Sequence, residues 1–126
     1  MMKKQGFTII ELTVALTLLG VAIFALAQLS VVSIHAQTNA SLRTTAASLA
    51  KGYMEEIKAR DPATLANETA QLVNEWGDSD SLAVFARSLK VDSLAANLTR
   101  VKVMVDYPKS SVPVVMENII YTTSFN

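Results

Sequence analysis

The sequence predicts an α+β protein in which one long N-terminal α-helix, over about residues 7–60, packs on a small antiparallel β-sheet. Three observations carry this. No charge interrupts the apolar run from Leu12 to Ala27. Leu42, Ala46, Leu49, Tyr53 and Ile57 then recur at spacings of three or four, which marks one face of a helix. Near the C-terminus Val101, Val103 and Val105 alternate with Lys102, Met104 and Asp106, the period-two signature of a half-buried strand.

The chain has 126 residues, enough for one small domain behind an N-terminal segment. Its hydrophobic fraction is 51%, concentrated before Val32, so the remainder of the chain fills only a modest core. Eleven basic and eleven acidic residues give a formal net charge of zero. That balance is not the footprint of a protein that coats nucleic acid, and direct nucleic-acid binding is expected to be weak at most. With no cysteine, zinc–thiolate sites, thiol nucleophiles and disulfides are all excluded.

From Phe7 to Val32 the apolar run is about 26 residues, longer than the roughly 20 that a helix needs to cross a bilayer core. Lys3 and Lys4 precede it and no comparable basic cluster comes directly after it, which predicts a cytoplasmic N-terminus. A removable secretory signal has a shorter apolar core and a small-residue cut site beyond it. Glu11 lies inside the run. An ionisable group there is costly unless paired and marks a functional position; neither a discarded signal nor a plain anchor explains it.

The stretch Lys3-Lys4-Gln5-Gly6-Phe7-Thr8-Ile9-Ile10-Glu11-Leu12 resembles the class III signal of type IV pilins and type II secretion pseudopilins. The resemblance is specific over about Gly6–Leu18 and general afterwards. It implies that prepilin peptidase removes residues 1–6 by cutting between Gly6 and Phe7, and that the new amine of Phe7 is N-methylated. Glu11 would then pair with that amine, in its own subunit or a neighbour's, and register helices entering a filament. The Thr8 hydroxyl has two readings, a contribution to this pair or back-bonding to its own helix. Pilin helices often carry a glycine and then a proline. Gly20 matches, whereas Gln28 stands at the proline position, and close helix packing is the other reading of Gly20.

Beyond Ile34 the helix becomes amphipathic, with Arg43, Lys51, Glu55 and Lys58 mostly off the apolar stripe. Residues 7–34 are thus read as the membrane or filament-core half and 35–60 as the amphipathic half. Ala46-Ala47, Leu49-Ala50 and Glu55-Glu56-Ile57 resemble the corresponding stretch of minor pilins of the PilV and GspI type. His35, the only histidine, reads as an interfacial residue.

Residues 61–126 form the small extracytoplasmic domain. Asp61 as N-cap with Pro62 at the first helical position stops one helix and starts another. Leu65, Leu72, Val73 and Trp76 suggest a short second helix or helical loop ending near Gly77. Asp78-Ser79-Asp80-Ser81 reads as a solvated turn, since it lacks calcium-loop spacing. The next segment admits a strand over Leu82–Val91 or a helix over Ser81–Leu89. Pro108-Lys109-Ser110-Ser111 makes a turn between the Val101 strand and a second strand over Val112–Thr123, which leaves an edge near the chain end at Asn126. Together these are the lollipop plan that the pilin resemblance implies.

No nucleophile elbow, phosphate loop or metal-ligand cluster is present, so no enzymatic activity, metal or cofactor is expected. Asn39-Ala40-Ser41, Asn67-Glu68-Thr69 and Asn97-Leu98-Thr99 match the glycosylation tripeptide by chance in a Ser/Thr-rich chain. The expected role is a minor pilin or pseudopilin of a type IV pilus or type II secretion-like filament. Its partners would be other pilin or pseudopilin subunits, prepilin peptidase and the inner-membrane assembly platform. It would start in the bacterial inner membrane and end in a periplasmic or cell-surface filament. A membrane-anchored periplasmic binding or adaptor protein that never polymerises is the alternative.

Overall fold

The computed structural model describes residues 6–122. Lys3, Lys4, Thr123 and Asn126, which bear on the expected leader and final strand, lie outside the described residues. The order of elements is helix α1 (Ile9–Ala59), a 3₁₀ turn (Pro62–Thr64), then strands β1 (Glu68–Val73), β2 (Phe85–Ala95), β3 (Leu98–Asp106) and β4 (Val114–Tyr121). The fold class is α+β, as the sequence predicts. The chain divides within α1 into two units, one through Thr38 and one from Asn39 onward.

In the first unit every described side chain is exposed. The helix runs through Gly20 without a break, and, its own turn of helix apart, nothing among the described residues lies within 4 Å of where a Cβ on that glycine would sit. Hydroxyls in an apolar helix need partners, and here the helix supplies them. Thr13 donates to the carbonyl of Ile10 at 2.8 Å, Thr17 to Thr13 at 2.8 Å and Ser30 to Leu26 at 3.0 Å.

The second unit contains the core. Ala46, Leu49, Ala50, Tyr53, Met54 and Ile57 of α1 are buried against Val73, Phe85, Leu89, Val101, Val103 and Val105 of the sheet. The predicted stripe is therefore present, widened by Ala50 and Met54, with Leu42 at its half-buried start. Each strand pairs antiparallel with the next in the order β1-β2-β3-β4. Val101, Val103 and Val105 face the helix with no exposed surface, while Met116 and Ile120 of β4 pack at the margin.

Asp61 caps the 3₁₀ turn as expected, its Oδ1 accepting from the N–H of Ala63 at 3.0 Å. The helical reading of Leu65–Trp76 is overturned, because the segment contains strand β1. The four apolar residues share no face: Val73 is buried, whereas Leu72 and Trp76 are exposed. Pairing of Leu72 with Ala86 and Val73 with Phe85 is non-local, so local spacing does not reveal it. The ambiguous segment after Ser81 is a strand, but it begins at Phe85, since Leu82 and Val84 stay exposed. Its Arg87, Leu89 and Val91 pair with Val105, Val103 and Val101.

Candidate functional site

The residues that the sequence singles out lie at the start of α1. Gly6 and Phe7 precede the helix, and Phe7 is 85% exposed. Thr8 is the helix N-cap: its Oγ1 accepts from the N–H of Glu11 at 3.2 Å, and its carbonyl accepts from the N–H of Leu12 at 3.1 Å. Of the two expected roles, back-bonding is not the one the Thr8 hydroxyl takes here. The hydroxyl serves an unsatisfied donor of the first turn, not a carbonyl of a preceding one.

Glu11 consequently occupies the third helical position, where a carboxylate complements the partial positive charge of the helix N-terminus. The signal for this placement is Thr8-Ile9-Ile10-Glu11, a Thr-x-x-Glu capping pattern that the apolar run around it obscures. Glu11 is exposed, and among the described residues no cation lies within ion-pair distance of it. In the uncut chain the nitrogen of Phe7 is a peptide nitrogen, so the ammonium partner does not yet exist. α1 contains a stretch long and apolar enough to cross a membrane.

Residues 1–27 match the family described as Prokaryotic N-terminal methylation motif. The chain carries a prepilin signal. This match supports the type IV pilin and pseudopilin superfamily, and with it processing by prepilin peptidase and membrane anchoring through the apolar helix. No curated protein and no solved structure matches the chain.

Elsewhere the chain gathers polar groups where β1 meets the end of α1. The Tyr53 hydroxyl donates to Oε2 of Glu68, while Arg60 donates to Oε1 of Glu68 at 3.0 Å and to Glu56 at 2.6 Å. The Arg87 guanidinium stacks on the Tyr53 ring, 3.7 Å from its centroid. Burial, together with the adjoining Glu68 carboxylate, pushes the Tyr53 phenol up to about 12. Glu56 and then Glu68 raise the Arg60 guanidinium further above its ordinary range. This cluster ties the end of α1 to β1 and β2 and contains no nucleophile–base pair. Among the described residues no group of three His, Asp or Glu side chains is arranged to hold a metal ion.

Proposed function

We propose that this chain is a structural, non-catalytic subunit of a type IV pilus or type II secretion-like filament, a minor pilin or pseudopilin of the PilV or GspI type. The observation that carries the reading is the coincidence of a methylation motif at residues 1–27 with a helix whose side chains from Ile9 to Ile34 are all exposed. Such a surface requires lipid or other apolar helices around it. Gln28 at the usual proline position and the absence of cysteine support a minor subunit.

In this reading prepilin peptidase cuts between Gly6 and Phe7, and the new N-terminus is methylated. The ammonium of Phe7 then sits one residue before the N-cap, beside the positive end of the helix dipole. That juxtaposition is unfavourable in an apolar filament core. The Glu11 carboxylate, its own or a neighbour's, neutralises both charges, and removing it strands the ammonium. The need for that pairing registers one helix against the next.

Mass spectrometry of the mature protein tests the reading. N-methylated Phe7 as first residue is expected; an intact Met1, or a cut beyond Ala27, overturns it. Glu11→Leu is expected to be cut normally yet left in the membrane, and undiminished entry into filaments would remove the registration role.

A further inference from the structure

Two surface features of the unit from Asn39 onward are left over once the apolar helix is accounted for. The first is the β1–β2 connection, residues 74–84. It carries Glu75, Asp78 and Asp80 with no base, and Trp76 and Leu82 project from it, 78% and 88% exposed. The turn that presents Trp76 is firmly built: Oδ1 of Asn74 accepts from the N–H groups of Trp76 and Asp78, each at 3.0 Å. Gly77 closes it at φ 91°.

The second is a cleft of about 410 Å³ between α1 and the β3–β4 connection. Arg43, Ala47, Tyr107, Val112, Pro113 and Val115 line it, and Val112 is 69% exposed. Arg43 is its only charged lining residue, and Lys109 is the only charge in the adjoining 107–113 connection. Among the described residues neither base, and none of the three acids of the first feature, is in an ion pair.

The register puts both features at one end of the sheet but on opposite edges. Val73 pairs with Phe85, Ala86 with Asp106, and Val105 with Val114, so both connections leave from the same end. The acidic knob stands beside edge strand β1 and the basic cleft beside edge strand β4. A molecule with complementary patches on opposite edges satisfies them with copies of itself, head to tail. Such a heterologous contact does not close on two copies and can repeat.

We propose that the Trp76 loop of one copy docks into the Arg43–Tyr107–Val112 cleft of a second copy. The indole meets the Arg43 guanidinium and the apolar wall, Leu82 covers Val112, and the three acids face Arg43 and Lys109. The contact rests on the filament reading for its setting and adds that copies of this chain adjoin one another. A low-abundance subunit would then enter a filament as a run of copies.

The lack of native cysteine makes the test clean. Ser81 and Ser111 are exposed, and each has a near-isosteric cysteine replacement beside one half of the contact. The full-length chain carrying both Ser81→Cys and Ser111→Cys, expressed in its host and mildly oxidised, is expected to give a disulfide ladder beyond the dimer. Either single variant should give none, and Trp76→Ala in the double background should abolish the ladder. Monomer from the double variant, dimers from a single one, or a ladder indifferent to Trp76→Ala would each overturn the contact. The N-terminus of the same sample reads the filament proposal separately. Methylated Phe7 without a ladder sinks only the contact, whereas a ladder on uncut chain sinks only the filament role.

Discussion

The two halves of α1 are continuous in backbone and opposite in what their side chains do. From Ile9 to Thr38 no side chain is buried in the molecule, although Ile9, Ile10 and Phe24 are among its most apolar groups and each is at least 75% exposed. From Asn39 to Ala59 the helix is more polar overall, yet it buries six side chains against the sheet. Hydrophobicity therefore does not decide which half packs within the chain. The arrangement does: an all-round apolar surface suits a bilayer or a bundle of identical helices, whereas a narrow stripe suits one sheet face. The first half is stabilised by whatever surrounds it, and the second by the domain it belongs to.

That contrast is easiest to break at the core. Ile57→Ala, at a position with no exposed surface, is expected to lower unfolding stability by about 2–5 kcal/mol in urea titrations of the full chain in detergent micelles. Leu19→Ala, a comparable loss of apolar side chain, should change the same transition by less than about 0.5 kcal/mol, since Leu19 is 57% exposed. Equal effects from the two would show that the halves are not energetically distinct.

Tyr53→Phe comes next, at about 1–2 kcal/mol, because it removes the hydroxyl that donates to Glu68. It also carries a pH signature. The phenol is raised from 10.0 to about 12 on folding, so its stabilisation is complete below pH 10 and is lost as pH rises from about 10 to about 12. Alkaline melts should show that slope in the parent and a shallower one in Tyr53→Phe. An identical slope would remove Tyr53 as its source.

Gly77→Ala should cost about 1 kcal/mol in thermal melts, since an alanine is strained at a φ of 91°. The added methyl meets only ordinary contacts, with Leu49 Cδ2 at 3.7 Å, so the penalty is one of backbone and not of space. Smallest of all is Lys58→Gln. Its 2.9 Å pair with Glu55 lies on the solvated face of the second half, and about 0.3 kcal/mol is expected. A loss above about 1 kcal/mol would mean that this face is covered by something.

Legibility in the sequence depends on the range of the interactions. Helix α1, its apolar half and the stripe from Leu42 to Ile57 are readable because 3.6-residue periodicity is local. Strand β3 is readable for the same reason, with every second residue from Val101 to Val105 a buried valine. Glu11 stands out as a charge in an apolar run, but its place at the third position of a capped helix emerges only with the Thr8 hydrogen bond. Strand β1 reads as helical because Leu65, Leu72, Val73 and Trp76 are spaced like a helix face, while pairing to β2 is a non-local choice.

The sequence by itself determined the long helix, the division of its surface into two chemistries, the N-terminal methylation motif over residues 1–27 and the exclusion of cysteine chemistry. Each of these rests on composition, on short periods or on residues adjacent in the chain. Only the tertiary structure decided that β1 is a strand, that Tyr53, Glu68, Arg60 and Arg87 form one cluster, and that the Trp76 loop and the Arg43 cleft occupy opposite edges of one sheet. Those facts depend on register between segments far apart in sequence, and register is settled when the sheet closes over the helix, not by any residue's neighbours along the chain.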